Sequence, residues 1–174
     1  EELSPAFRGW EGKATKYYLS CISQCLPPAY RFKKRSRRPA RDMYNCMLNY
    51  AYGMLYGVIE GALIQAGLDP FMGVMHQDDY NRPVLVYDVI EQYRIWAEYV
   101  VTDLCMQQAV FREFFDVAVD KWWLNGQGRG VLIQSMNDYL EEVVPLNNIE
   151  RSRRTHIDLF AQSFAQELLH LPAK

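Results

Sequence analysis

The sequence lacks the features that would place it in or across a membrane. No stretch of 18 or more apolar residues runs without interruption, because Asn45, Asn49, Glu60 and Gln65 divide the most apolar region. No basic segment followed by an apolar core opens the chain, so we expect no secretory leader. These absences predict a cytoplasmic protein without a membrane association.

Cysteine is scarce, with four residues in 174. Cys21 and Cys25 are four apart and would share one face of a helix, but no matching second pair completes a metal site. Cys46 and Cys105 stand alone. We therefore expect reduced thiols that act as small apolar residues, as is usual in the cytoplasm.

Two further absences limit the organisation and the chemistry. The chain has no internal repeat and no low-complexity tract, and 174 residues correspond to about one domain. It also has no Gly-x4-Gly-Lys-Ser/Thr loop, so a nucleotide-driven step is not expected. We predict a single helical domain over residues 1–174.

The hydrophobic pattern is helical almost throughout, so the fold class is predicted to be all-α. Asp42 is placed to cap a long central helix, and Gly67 followed by Pro70 is placed to end it. The stretch FFDVAVDKWWLNGQGR is ambiguous, because it suits two short strands around a turn or a helix capped by Asn125 that continues to Val144. The predicted helices cover residues 10–25, 43–66, 83–107 and 148–170.

Positive charge is concentrated in RFKKRSRRPAR, residues 31–41, which holds seven of the nineteen basic residues and no acid. Such a run can be a solvated face, but clustered Arg and Lys are also typical of phosphate-backbone binding. Because the run lies between two predicted helices, we expect a structured connection held near the core.

A single glutamate, Glu60, carries the only formal charge between Met43 and Leu68. Burying a lone carboxylate is costly unless a positive partner is present. His76 follows in the next connection, and Asp88 and Glu91 are three apart on the predicted following helix, hence on one face. Carboxylates with one imidazole make a plausible ligand set for a divalent cation.

Each of these residues also has an ordinary structural interpretation. Glu60 could form a structural ion pair with Arg94 or another buried base, and His76 could be a surface or hydrogen-bonded loop residue. Asp88 and Glu91 could form the solvated side of an amphipathic helix. The residue chemistry alone leaves these alternatives open.

Four consecutive blocks over residues 9–94 resemble the C-terminal catalytic domain of the CRISPR-associated integrase family. GWEGKATKYY resembles the family's first aromatic helix, and FKKRSRRPARDMYNCMLNYAYGMLYGVIEGAL its basic segment and long helix. AGLDPFMGVMH resembles the turn that carries a histidine, and RPVLVYDVIEQYR the acidic helix. Gln92 stands where many members have proline, and no stretch resembles the family's N-terminal β-rich dimerisation domain.

The resemblance implies a metal-dependent DNA integrase and endonuclease of CRISPR spacer acquisition. Glu60, His76 and Glu91 fall on the family's metal-binding positions for Mg²⁺ or Mn²⁺, and Asp88 is an adjacent acidic catalytic position. The division of labour between Asp88 and Glu91 stays open. The implied partners are spacer-precursor and CRISPR-repeat DNA, a second small adaptation protein and, in the full-length family, a second integrase subunit. The implied DNA-binding residues are Lys33, Lys34, Arg35, Arg37, Arg38 and Arg41.

Two rival interpretations have different sequence requirements. The first is a catalytically inactive helical DNA-binding module in which Glu60 is structural, and an intact set of four site residues disfavours it. The second is a carboxylate-bridged di-iron bundle, which needs two Glu-x-x-His pairs. The sequence has one such pair, Glu167 with His170, so this interpretation ranks last.

Overall fold

The computed structural model describes residues 5–73 and 82–170. In this part of the chain most residues are helical and the strands form two separate hairpins, which confirms the all-α prediction with a small β addition. The helices are α1 (Pro5–Cys25), α2 (Met43–Gln65), α3 (Val84–Ile90), α4 (Arg94–Met106), α5 (Gly126–Glu141) and α6 (Arg153–Leu169). The strands are β1 (Phe115–Ala118), β2 (Lys121–Leu124), β3 (Val143–Leu146) and β4 (Ile149–Ser152).

The central helix α2 begins and ends as predicted. At its start the Asp42 carboxylate accepts a hydrogen bond from the backbone N–H of Asn45 at 2.7 Å, which satisfies one of the free donors of the first turn. At its end Gly67 adopts a positive φ of 81°, and the N–H of Leu68 reaches back to the carbonyl of Leu63. A left-handed glycine with this backward bond ends the helix at the predicted residue.

The prediction of one helix over residues 83–107 is wrong in its middle. Residues 91–93 form a turn between α3 and α4, in which the N–H groups of Gln92 and Tyr93 bond to carbonyls three residues back. Such tight bonds replace the regular α-helical pattern. Glu91 keeps helical dihedral angles at the end of α3, so its spacing from Asp88 is preserved.

Both alternatives for the ambiguous stretch are partly right. Strands β1 and β2 pair antiparallel, with Asp116 opposite Trp123. Asn125 follows directly, and its side-chain oxygen accepts from the N–H groups of Gln127 and Gly128 at the start of α5. Helix α5 ends at Glu141 and not at Val144.

The predicted start of the last helix at residue 148 is also wrong, because β3 and β4 occupy residues 143–152. Asn147 and Asn148 form the hairpin turn with φ values of 51° and 62°. Two consecutive positive φ angles match the twist of a two-residue hairpin, and asparagine tolerates them well. Ser152 then caps α6 by accepting from the N–H of Thr155.

The chain divides into two compact units, each with its own core. Unit 1 comprises residues 1–51 and 96–134, and unit 2 comprises residues 52–95 and 135–174. In unit 1 the rings of Phe32 and Tyr44 stack at 4.6 Å, and the Tyr44 hydroxyl lies 3.1 Å from that of Thr102. In unit 2 the ring of Tyr93 meets that of Phe160 edge to face at 6.1 Å.

Candidate metal site and basic segment

Glu60 lies on α2 in unit 2 and is half-buried. Its carboxylate forms no hydrogen bond or ion pair across residues 5–73 and 82–170. The proposed structural pair with Arg94 is wrong, because the Arg94 guanidinium binds Glu91 at 2.8 Å and lies over the Tyr52 ring. A partly desolvated carboxylate without a partner in the described part of the chain is suited to binding a cation.

Two contacts indicate what Glu60 faces. Tyr52, Tyr56 and Glu60 follow one another at intervals of four along one side of α2. Tyr52 lies under Arg94, and the Tyr56 ring meets the Tyr87 ring at 5.5 Å. Side chains four apart lie on the same face of a helix. We therefore expect Glu60 to lie on the face of α2 that packs against α3.

The two acids of the α3 region, Asp88 and Glu91, have different environments. Asp88 is 8% exposed, whereas the Glu91 side chain is 37% exposed and paired with Arg94. Together with Glu60 these residues are called the acidic group below. Glu91 already has a cation beside it, so a bound metal ion would have to share its carboxylate with Arg94.

His76, the predicted imidazole ligand, lies outside the described residues. Across residues 5–73 and 82–170 no group of three or more His, Cys, Asp and Glu side chains is arranged to hold a metal ion. The three-residue ligand set of Glu60, His76 and Glu91 therefore stays a prediction.

Residues 31–41, called the basic segment below, lie in unit 1 and are held by the side-chain amide of Asn45. Asn45 is fully buried. Its Oδ1 accepts from the N–H of Ser36 and from the Arg35 guanidinium, and its Nδ2 donates to the carbonyl of Lys34 and to Asp42. The segment has no regular secondary structure, and buried backbone groups need hydrogen-bond partners. The Asn45 amide supplies two of these partners, to the Ser36 N–H and the Lys34 carbonyl.

Two further side chains fix the same backbone. Ser23 on α1 accepts from the N–H of Phe32 and donates to its carbonyl, at 2.9 and 2.7 Å. Asn49 on α2 donates to the carbonyls of Arg37 and Ser36, at 2.7 and 3.3 Å. The expected structured connection is confirmed.

The seven cations of the basic segment divide into two that are used internally and five that are not. Arg31 donates to the carbonyl of Leu26 at 2.9 Å. Arg35 is half-buried and donates to the carbonyl of Ser36 and to Asn45. Burial raises the pKa of the Asp42 carboxyl, and bonds from Asn45 together with the charge of Arg35 oppose this rise. The other five cations, all exposed, are Lys33, Lys34, Arg37, Arg38 and Arg41.

Sequence reasoning missed the roles of Asn45 and Asn49, which it treated only as polar interruptions of an apolar helix. The signal is their spacing: two asparagines four apart share one face of α2, next in sequence to a segment without regular structure. Sequence reasoning also passed over the tandem tryptophans of β2, Trp122 and Trp123, which line a surface pocket with Arg37.

The chain resembles known proteins over most of its length. The family model for CRISPR associated protein Cas1 matches residues 3–138. A CRISPR-associated endonuclease Cas1 of Thermus thermophilus is 42% identical over 112 residues, which cover 64% of this chain and 34% of that protein. The chain thus spans about a third of the length of this relative.

Two solved structures have the same fold. A casposase bound to an integration product is 26% identical, with a TM-score of 0.88 over 97% of this chain and 48% of that one. A Cas6-RT-Cas1–Cas2 complex is 23% identical, with a TM-score of 0.82 over 94% of this chain and 18% of the other. The similarity to the second structure concerns the fold alone.

The fold has a capped central helix, α2, followed along the chain by α3 with its acidic residue Asp88. This fold places the chain in the class of helical domains found in casposase and Cas1. The chain belongs to the CRISPR-associated protein Cas1 family, because the family model covers most of it. No helix within residues 5–73 and 82–170 is long and apolar enough to cross a membrane.

Proposed function

We propose that this chain is the catalytic domain of a metal-dependent DNA integrase and endonuclease that inserts new spacers into a CRISPR array. Family membership supports this proposal, as does the likeness to a casposase bound to an integration product. The single observation that carries it is Glu60, a half-buried carboxylate on the central helix without a partner in residues 5–73 and 82–170. The two units are taken as parts of one domain, because each boundary between them falls inside a helix.

The donor chemistry of the site fits a hard divalent cation. Glu60 and Glu91 supply carboxylate oxygens and His76 supplies one imidazole nitrogen, a set that suits Mg²⁺ or Mn²⁺. Asp88, which is buried beside the same helix turn, is the adjacent acidic residue. When bound, the metal ion polarises the phosphoryl oxygens and stabilises the attacking or leaving oxygen.

The proposed reaction is a phosphodiester transesterification. The 3′-hydroxyl oxygen of the incoming DNA forms a bond to a phosphorus atom of the array, and the bond from that phosphorus to its own 3′-oxygen breaks. The attacking hydroxyl loses its proton, and the leaving 3′-oxygen gains one. Because one P–O bond forms and one breaks, the number of phosphodiester bonds is unchanged. No nucleophile of the protein is required, and no oxidant or nucleotide is consumed.

The chain's own residues bind and orient the DNA in this reaction. The exposed cations of the basic segment, among them Arg37 and Arg38, neutralise phosphates. Because their backbone is fixed by Asn45 and Asn49, they are placed before the DNA arrives. Integration at both ends of a duplex would further require a second subunit and the small adaptation protein, which the family resemblance implies.

The test is Glu60→Gln, which keeps the shape of the side chain and removes its charge. With Mn²⁺ and a branched DNA that mimics a half-integrated product, we expect the rate of strand transfer to fall at least tenfold, or about 1.4 kcal/mol. A second readout does not depend on activity. Mn²⁺ at about 100 times its dissociation constant should raise the free energy of unfolding of the wild type by about 2.7 kcal/mol, and that of the variant by far less.

Glu167→Gln is the matched control, since Glu167 is an exposed helical acid on α6. It should behave as the wild type in both measurements. An unmodified chain that binds DNA but shows no Mn²⁺-dependent strand transfer would favour the inactive DNA-binding module. A Glu60→Gln variant with more than a tenth of the wild-type rate would remove Glu60 from the metal site.

A further inference from the structure

A surface pocket of about 520 Å³ lies within unit 1, between the basic segment and the β1–β2 hairpin. Its volume is within the range typical of small-molecule sites, roughly 300–1,000 Å³. None of the functions assigned above uses it beyond Arg37. The pocket is lined by Arg37, Ala40, Cys46, Asn49, Tyr50, Asp116, Trp122, Trp123, Leu124 and Arg129.

The two tryptophans of the pocket differ in what they already contact. Trp122 is half-buried, with the Arg112 guanidinium 4.6 Å from its ring and Phe115 against its edge. Trp123 is 46% exposed, and its side chain has no ring contact or hydrogen bond within residues 5–73 and 82–170. Trp122 supports the wall, whereas Trp123 presents a free aromatic surface.

The polar groups of the pocket are arranged for a ligand with acceptor and donor atoms. Arg37 is exposed and has no partner in the described residues, and Arg129 makes only a long contact of 3.4 Å to the Asn125 carbonyl. Asn49 has both amide hydrogens committed to backbone carbonyls. The remaining hydrogen-bonding capacity of Asn49 is therefore the acceptor Oδ1, held in a fixed orientation.

We propose that this pocket binds one unpaired nucleotide of a DNA strand, with its base stacked on Trp123 and its phosphate paired with Arg37 and Arg129. Every base has a flat face for stacking, and aromatic side chains beside a cationic groove are how proteins hold single strands. Every base also carries a donor on its Watson–Crick edge that the Asn49 oxygen can accept. A base within a duplex has neither its face nor that edge free, so the pocket selects unpaired nucleotides.

This inference rests on the proposed function only in taking DNA as the ligand. Its test is fluorescence anisotropy with a labelled 12-nucleotide single strand of mixed sequence and with a blunt hairpin duplex. Both are measured in EDTA, so that the proposed metal site does not contribute. Trp123→Ala should weaken single-strand binding by roughly 5- to 150-fold and change duplex binding less than about twofold.

Trp123→Phe should retain most of the affinity, because a phenyl ring still stacks. Trp10→Ala is the matched control, since Trp10 is an exposed tryptophan of α1 outside the pocket, and it should bind as the wild type. Single-strand affinity within twofold of the wild type in Trp123→Ala, or an equal loss on the duplex, would overturn the proposal. Neither result would bear on Glu60, and loss of Glu60 function would leave this assay unchanged.

A gain-of-binding variant makes the test independent of folding defects. Asp116 is the one acid among the residues that line the pocket, and it lies opposite Trp123 in the hairpin register. Asp116→Asn removes its repulsion of the phosphate and should tighten single-strand binding by roughly 1.5- to 5-fold at low salt. Unchanged or weaker binding would contradict the phosphate position.

Discussion

In the basic segment of unit 1 the backbone is fixed and five of the seven cations are exposed without a partner in the described residues. In the acidic group of unit 2 the charges themselves differ in their surroundings. Asn45 and Asn49 bind the carbonyls and N–H groups of the basic segment, and five of its cations extend into solvent. In the acidic group Glu91 is paired with Arg94, Asp88 is buried, and Glu60 has no partner in the described residues.

The difference indicates two ways of building a site. The basic segment is fixed without its ligand, because the side chains of Asn45, Asn49 and Ser23 bind its backbone. The acidic group differs, because Glu60 is partly desolvated and has no partner in the described residues, and we propose that a cation completes it. We therefore expect mutations of the amides that fix the basic segment to act on stability, and mutations of the acidic group to act on ligand binding.

The largest effect is expected for Asn45→Leu, which replaces the buried amide by an apolar side chain of similar size. The carbonyl of Lys34 and the N–H of Ser36 would then be left without a partner. Each buried polar group left unsatisfied costs about 1–3 kcal/mol. We expect the free energy of unfolding to fall by about 3 kcal/mol, measured by urea denaturation.

Asn49→Leu gives the graded comparison, because Asn49 is half-buried and makes two such bonds where Asn45 makes four. Its loss should be about 1 kcal/mol. If both variants unfolded like the wild type, the basic segment would not depend on these amides, and the comparison would fail.

The next effect concerns the free charges. Replacing Arg37 and Arg38 together by Ala should weaken binding to unrelated duplex sequences alike and reduce the slope of log affinity against log salt by roughly two. Stability should change little, since both side chains are exposed. Arg35→Ala should instead lower the stability and leave the salt slope nearly unchanged, because the Arg35 guanidinium is bound to Asn45.

An unchanged slope in the double variant would mean that the basic segment is a solvated face and does not contact DNA phosphates. A fall of the slope in Arg35→Ala as large as in the double variant would show that the division into internal and free cations is wrong.

The sequence predicted the elements whose signals are local. Asp42 and Gly67 lie at the start and the end of α2, where the hydrogen bonds join residues at most five positions apart. The boundaries of α2 were therefore predicted to within one residue. The hairpin of residues 143–152 was missed because the apolar pattern of VVPL and IERS is weak, and the Asn147–Asn148 turn is the stronger indication.

The candidate site was predictable in its residue types but not in its pairings. Glu60 is conspicuous as the one charge of α2. Its lack of a partner among the described residues depends on a choice that the sequence does not show, because Arg94 pairs with Glu91, three residues before it. Nothing in the spacing decides which of two acids an arginine selects. The resemblance to the integrase family supplied the remaining assignment, and its metal ligands stay a prediction.

The smallest effect addresses the open choice between Asp88 and Glu91 as the acidic ligand. The Glu91–Arg94 pair is partly exposed, and such pairs are worth about 0.2–1 kcal/mol. If Glu91 binds the metal ion, Arg94 competes for its carboxylate. Arg94→Gln should then tighten Mn²⁺ binding by roughly 1.5- to 5-fold, measured by calorimetric titration.

Removing the positive charge of Arg94 would also favour a nearby cation simply by removing electrostatic repulsion. The double variant with Glu91→Gln separates this effect from the loss of competition for the Glu91 carboxylate. If Glu91 is the ligand, most of the gain from Arg94→Gln disappears in the Glu91→Gln background, because the competition no longer exists. If the gain is the same in both backgrounds, Arg94 acts only through its field and the buried Asp88 becomes the better candidate. That result would move the proposed metal ligand from the exposed acid of α3 to the buried one, and leave Glu91 as the structural partner of Arg94.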